Sequence, residues 1–183
     1  MTNTTNKAAL QRTVRSQQGF TLIEVAVALI VLAVGLLGIA GMQSSGMQNT
    51  LKSHHRAVAM MQAQDIADRI RANISGMRAT AYTNAIPGSA PSPNCMTSGA
   101  TCTPTQLAAT DLFNWQTENA AVLPSGAGSI ACTDIDATTV AAFEAGTSCT
   151  ITIRWDGDRT GATGTGCTTA ATDLTCLRMR IMP

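Results

Sequence analysis

Two apolar patterns follow one another in the first part of this chain. From Val25 to Met42 nearly every side chain is aliphatic, and no charge occurs in the 27 residues between Glu24 and Lys52. An apolar run of about 18 residues or more is long enough to cross a bilayer as a helix. From Lys52 to Ile74 the pattern changes. Ala59, Ala63, Ile66, Ala67, Ile70 and Ile74 recur mostly at spacings of three and four, which reads as a helix with one buried face. Asp65 and Arg69 stand four apart and can pair on its outer face. Gly76 closes the pattern as a helix stop. One helix from about Phe20 to Asn73 would run roughly 80 Å at about 1.5 Å per residue.

Further along, residues 78–103 read as a linker, with Pro87, Pro91 and Pro93 among many Ser, Thr and Asn. A second helix is expected over residues 104–118. Thr103 caps it, Pro104 suits its first position, and Gln106 completes a capping box. Ala108, Leu112 and Trp115 share a face, and Leu123-Pro124 ends the region. Two segments then alternate as strands do: Cys149 to Trp155, with Ile151, Ile153 and Trp155 on one face, and Leu174 to Ile181, with Leu177, Met179 and Ile181 opposite Arg178 and Arg180. A Gly/Thr-rich loop, Asp156 to Asp173, joins them, and Ser129 to Thr133 adds a shorter strand.

Composition narrows the function classes. The 183 residues allow one anchor helix and one small domain, and the net charge of +1 gives no strong basic balance for nucleic acid. With only six aromatics, base-stacking platforms are not expected either. All six cysteines, Cys95, Cys102, Cys132, Cys149, Cys167 and Cys176, lie beyond the apolar run. An even count on the far side of an anchor points to disulfides in an oxidising compartment. Zinc is disfavoured, because no Cys-x-x-Cys spacing exists and His54 and His55 lie far upstream. Six cysteines allow 15 connectivities. Sequential pairing (Cys95–Cys102, Cys132–Cys149, Cys167–Cys176) is the expectation, with crossed pairs left open.

The boundary of the apolar run carries the most specific signal. Lys7, Arg12 and Arg15 precede it with no acid among them. A secretory signal peptide would share that basic start, but its apolar region spans about 7–15 residues. A plain uncleaved anchor fits the length and the positive-inside bias, which places residues 1–18 in the cytoplasm. Neither explains an acid at Glu24, where a charge costs roughly 2.5–3.5 kcal/mol or more at mid-membrane. The sequence Gly19-Phe20-Thr21-Leu22-Ile23-Glu24 closely resembles the class III signal of type IV pilins and pseudopilins. That resemblance implies cleavage after Gly19 by a prepilin peptidase on the cytoplasmic face, N-methylation of Phe20, and retention of the helix. The processed chain would have 164 residues, with nine basic against eleven acidic groups and a net charge of −2. In the family the acid at the place of Glu24 is thought to pair with the terminal amine of a neighbouring subunit, which would set register during filament assembly. A carboxylate among apolar helices is tolerable beside an opposite charge and costly alone. The alternative is that Glu24 sits at headgroup depth.

The resemblance also implies an α+β fold, the type IV pilin fold: a long N-terminal helix, membrane anchor plus amphipathic half, packed on a small antiparallel sheet stapled by disulfides. The organisation implied is a leader over residues 1–19, an N-terminal helix over 20–74 with 20–42 transmembrane, and a periplasmic domain over 75–183. Gly35, Gly38, Gly41 and Gly46 form either a packing face or a weak zone that can extend when the subunit leaves the bilayer. The weak zone is favoured, since many major pilins carry a helix-bending proline near Gly41. The stretches Ala63 to Asn73, Gly35 to Gln43, Leu107 to Trp115 and the Trp155-Asp156 pair resemble the type IV pilus modification proteins, the PilV-type minor pilins.

Lesser candidates read as structural. Asp156-Gly157-Asp158 could open a calcium loop but lacks the remaining oxygen ligands, so a plain turn is expected. His54-His55 reads as a solvated pair, Arg178 and Arg180 as an outer strand face that could touch the next subunit, and Met60-Met61 as core fill. No catalytic constellation, metal site or cofactor motif stands out. The function implied is structural: a minor pilin that primes or joins type IV pili and supports assembly, adhesion and twitching motility. Its partners would be other pilins through the N-terminal helix, the prepilin peptidase, the inner-membrane assembly machinery and membrane lipid. It would be held in the inner membrane first and reach the cell-surface pilus later. A type II secretion pseudopilin and a tip-located adhesin module are the competing readings.

Overall fold

The computed structural model describes residues 19–83, 86–134 and 146–183. The basic leader, with Lys7, Arg12 and Arg15, lies outside the described residues. The chain divides into two units, one ending at Met47 and one running from Gln48 to Pro183. Helix α1 (Leu22–Ala72) contributes to both.

In the first unit the sequence begins α1 with a capping interaction. The Glu24 amide donates to the Thr21 hydroxyl at 3.3 Å and to the Thr21 carbonyl at 3.1 Å, which satisfies a donor that no helical turn precedes. Glu24 lies in the first turn, where the helix dipole favours a negative charge. An 18-residue window of α1 has a mean hydropathy of 2.8 with none of it buried. By length and composition this helix can cross a membrane. Gly35, Gly38, Gly41 and Gly46 are all helical, and a Cβ added at any of them would meet nothing.

The second unit is built on the buried stripe of α1. His55, Ala59, Ala63, Ile66, Ala67 and Ile70 are buried, and the small alanines let neighbouring elements approach closely. α1 stops at Ala72. Asn73 then caps a five-residue helix, α2 (Ile74–Arg78), by accepting the Gly76 amide at 3.1 Å. Gly76 is therefore inside α2 and is not the stop. A Cβ at Gly76 would come within 2.8 Å of the Pro104 carbonyl oxygen, so a close approach of two backbones is why the position is glycine. The linker-like stretch that follows contains a 3₁₀ turn, Ala81–Thr83, whose Tyr82 is buried in the core.

Helix α3 (Pro104–Val122) starts with the expected capping box: Gln106 N donates to the Thr103 hydroxyl at 3.3 Å, and Thr103 N to Gln106 Oε1 at 2.9 Å. It runs four residues beyond the expected end at 118, because Asn119 and Leu123 are buried and the Leu123 amide still donates to the Asn119 carbonyl at 3.0 Å. Three antiparallel strands follow in the order β1 (Ala127–Thr133), β2 (Ser148–Trp155), β3 (Thr175–Ile181). Their register sets Ile130 against Ile151, and Ile151 against Met179. Ile151, Ile153, Trp155, Leu177 and Ile181 are buried with Ile66, Ile70, Leu112 and Trp115 in one cluster, and fully burying an Ile or Leu side chain stabilises by about 1.5–3 kcal/mol. Met60 and Met61 do not join it. They are 39% and 59% exposed, and Met77 of α2 fills the core instead.

Three disulfides brace this unit, and the described residues hold no free cysteine. Cys95–Cys102 closes part of the linker, Cys132–Cys149 joins directly paired positions of β1 and β2, and Cys167–Cys176 ties the long loop to β3.

Gly128 lies under the Trp115 indole, where a Cβ would collide with the ring. Gly128→Ala is expected to destabilise the full chain in detergent by about 1–3 kcal/mol, the usual cost of overpacking. Denaturant unfolding followed by tryptophan fluorescence measures it, and an unchanged midpoint would contradict the packing described.

Candidate assembly site

Within the first unit, Phe20, Glu24, Ala28 and Leu32 follow one another at four-residue intervals, with Val25 and Leu29 beside them on the same face. Phe20 is 83% exposed and Glu24 is exposed. Glu24 is the lone carboxylate on this surface, and among the described residues it has no ion-pair partner. An isolated carboxylate on an apolar helix is stable in water or at a headgroup. In a lipid or helix-packed setting it calls for a cation. Gly19 lies just ahead of Phe20, and a Cβ there would also meet nothing.

Residues 14–40 match the family model of the prokaryotic N-terminal methylation motif. Residues 41–113 match the model described as Type IV pilin Tt1218. The two matches support a type IV pilin family. The architecture agrees, being the type IV pilin fold of a long N-terminal helix on a small three-stranded antiparallel sheet with disulfides. No curated protein and no solved structure gives a match. The methylation motif implies processing by a prepilin peptidase and assembly with other pilins, and it fits a membrane-anchored chain. Pilins are structural and not catalytic proteins, and among the described residues no cluster of three or more His, Cys, Asp or Glu could hold a metal.

The second unit holds the end of α1 through a buried polar network that the sequence pattern does not announce. Arg69 Nε donates to Asp65 Oδ2 at 2.8 Å, as the four-residue spacing predicts. The pair is not on an outer face, however: Arg69 is only 22% exposed and reaches on to Asp111 Oδ1 of α3 at 3.4 Å. The other oxygen of Asp111 accepts the Tyr82 hydroxyl at 2.6 Å. Asn73 Nδ2 donates to Tyr82 Oη at 3.3 Å and to the Pro104 carbonyl at 2.8 Å. Burial followed by the Asp111 hydrogen bond pushes the Tyr82 pKa well up, so the phenol stays a donor at any physiological pH. Burial opposes the charge on Arg69, but Asp65 and Asp111 outweigh it and raise its pKa. Trp115 Nε1 adds a bond to the Gln62 carbonyl of α1 at 2.9 Å. Four elements of the second unit (α1, α2, the 3₁₀ turn and α3) are thus pinned at one place. Tyr82 was hidden by its linker-like surroundings. Its being the single tyrosine of the chain, and the place of Asp111 beside Leu112 and four residues before Trp115, were the available signals.

The lesser candidates resolve into scaffold. Asp156 spends both carboxylate oxygens on the turn, accepting Thr160 N at 3.1 Å and Gly161 N at 2.8 Å, and Asp158 pairs with Lys52 at 2.8 Å. Neither is free to open a calcium loop. Asp173 ties its own loop: the Thr168 hydroxyl and then the Thr168 amide lower its pKa. Arg178 and Arg180 are exposed on β3, with Arg180 donating to Ser148 Oγ at 2.9 Å. The histidine pair is not uniformly solvated, since His55 is only 5% exposed.

Tyr82→Phe removes one of the bonds that satisfy a buried carboxylate. It is expected to destabilise the full chain by about 1–3 kcal/mol while leaving the secondary structure unchanged. Denaturant unfolding with circular dichroism checks both, and a neutral substitution would show that Asp111 is satisfied without it.

Proposed function

We propose that this chain is a minor pilin that primes or incorporates into type IV pili, supporting pilus assembly, adhesion and twitching motility. The observation that carries the proposal is the placement of Glu24. It is a single acid in the first turn of α1, at the head of an apolar run that is wholly exposed, one turn after Phe20. Cleavage after Gly19 would make Phe20 the terminus, and its amine would be the cation that the carboxylate of a neighbouring subunit lacks. The domain architecture is then residues 1–19 as a removable leader, 20–74 as the helical spine with 20–42 in the membrane, and 75–183 as the periplasmic domain. The two family matches support this reading as far as a pilin-like role. The narrower role as a PilV-type minor subunit rests on the sequence resemblance at Ala63 to Asn73 and its neighbours.

The mechanism follows from two environments for one surface. Before assembly the exposed aliphatic side chains of α1 lie in lipid. On extraction they trade lipid for other pilin helices, where dispersion and burial replace the bilayer. An ion pair between Glu24 and a neighbour's N-terminus would fix the axial position, because a carboxylate left unpaired in such a bundle is strongly penalised.

Mass spectrometry of sheared pili tests this reading. A species beginning at N-methyl-Phe20, at low abundance relative to the main subunit, is expected, together with loss of twitching on deletion of the gene. A chain that stays wholly in the membrane fraction, or a deletion that impairs protein secretion and leaves twitching intact, would overturn it in favour of a pseudopilus role.

A further inference from the structure

Lys52 is the first charge after Glu24, and 27 uncharged residues separate them. As helix that interval measures about 40 Å at about 1.5 Å per residue. A bilayer with its headgroup layers is about 40–45 Å thick. With the start of α1 at one headgroup layer, Lys52 therefore comes to the level of the other. The loop after β2 meets α1 at this residue: Asp158 Oδ1 lies 2.8 Å from Lys52 Nζ, with both side chains more than half exposed. Two hollows flank the bridge, and both are lined by Lys52, Gly157 and Asp158. The larger, about 310 Å³, has Arg56 on its wall, one turn after Lys52 on the same face of α1. The smaller, about 210 Å³, has Arg159 on its wall, together with Gln48 and Leu51. Arg56 and Arg159 are exposed, and among the described residues neither has an ion-pair partner. Three cations thus surround one carboxylate. The other carboxylates of this region, Asp156 and Asp173, line a third hollow whose wall includes none of the three cations. Arg159 sits at φ +53°, in the left-handed region that an arginine seldom enters, and the turn in which Asp156 accepts the Thr160 and Gly161 amides keeps it there.

We propose that Lys52, Arg56 and Arg159 form a seat for the phosphate of an anionic phospholipid head group, which ties the loop 157–161 and α1 together at the bilayer surface before assembly. The proposal rests on the reading of α1 as a membrane anchor. The chemistry of the seat selects the ligand. A guanidinium fork offers a phosphate two parallel charge-assisted hydrogen bonds. Three positive groups and one negative leave an excess of positive charge, which a phosphodiester of an anionic lipid reduces and a zwitterionic head group does not. The Lys52–Asp158 bridge is exposed and for that reason weak, so a phosphate can take the place of the carboxylate on Lys52. Leu51, 43% exposed beside the smaller hollow, gives the lipid an apolar contact next to its head group. The attraction needs proximity, since it decays within a Debye length of about 8 Å at physiological salt. The level of Lys52 on α1 provides that proximity. Each cation so placed strengthens binding to an anionic surface by about fivefold.

Hydrogen exchange of the full chain in lipid nanodiscs, read at the amides of residues 157–161, tests the seat. One set of discs is phosphatidylcholine alone, and the other is an equal mixture with phosphatidylglycerol. In the mixed discs the loop is expected to gain about fivefold in protection and to lose the gain as salt is raised. The β2 and β3 amides are expected to stay unchanged, and they report whether each variant is folded. The double variant Arg56→Gln, Arg159→Gln is expected to abolish the gain. The double variant Arg178→Gln, Arg180→Gln, which removes two exposed cations of β3, is expected to keep it. Asp158→Asn is expected to loosen the loop in phosphatidylcholine and to regain wild-type protection in the mixed discs, because the lipid phosphate replaces the lost carboxylate on Lys52. A chain that does not enter the discs overturns the anchor and the seat together. A chain that enters them overturns the seat alone if its loop is equally protected in the two lipids, if the gain survives loss of Arg56 and Arg159, or if inorganic phosphate added to the phosphatidylcholine discs produces the same gain.

Discussion

The 27 uncharged residues between Glu24 and Lys52 impose the constraint on which the rest depends. A helix that carries so much exposed aliphatic surface has to be covered, by lipid or by other helices, and none of this uncharged run is buried within the chain. The acid at its start is the exception that gives the surface a direction. An apolar helix alone slides freely along its neighbours. In the proposed assembly, one carboxylate that tolerates burial only beside a cation would remove that freedom, because each misplaced register would leave a charge unpaired. Processing after Gly19 would supply the cation at a fixed distance, one turn away.

Downstream, the same helix is handled by a different physics. Small side chains, Ala59, Ala63 and Ala67, bring α1 close to the core, and Ile66 and Ile70 fill it. Hydrophobic packing specifies which face is inward. The polar network of Arg69, Asp111, Tyr82 and Asn73 specifies where along its length α1 ends and how α2 and α3 meet it. A carboxylate as buried as Asp111 is costly alone, so its two partners constrain the fold more sharply than an apolar contact of the same area would. The disulfides then fix loops that have little core of their own.

Much of this was legible in the sequence, for physical reasons that can be named. The three-and-four spacing of α1, the Thr103–Gln106 capping box and the alternation in β2 and β3 are local codes, and each became the element it encodes. What was not legible depended on contacts between distant segments. Gly76 reads as a stop, but it is glycine because the Pro104 backbone passes close by. Tyr82 reads as linker because its neighbours are Thr, Ala, Asn and Pro, yet it is core. His55 reads as solvated because it follows another histidine on a charged turn, yet it stands on the inward stripe of α1 and is only 5% exposed. Met60 and Met61 read as core by residue type, but the alanine stripe already occupies the inward face. At the candidate assembly site the roles proposed for Gly19, Phe20 and Glu24 rest on local spacing, which the sequence carries by itself.

The central claim is that Glu24 is an assembly group and not a tolerated acid at the membrane surface. Glu24→Ala in the native cell, with the amounts in membrane and sheared-pilus fractions compared by quantitative immunoblot, tests it most directly. The account predicts that the variant is made, processed and held in the membrane at the normal level but is depleted from pili. A Glu24→Ala chain that enters pili as abundantly as the wild type would contradict it.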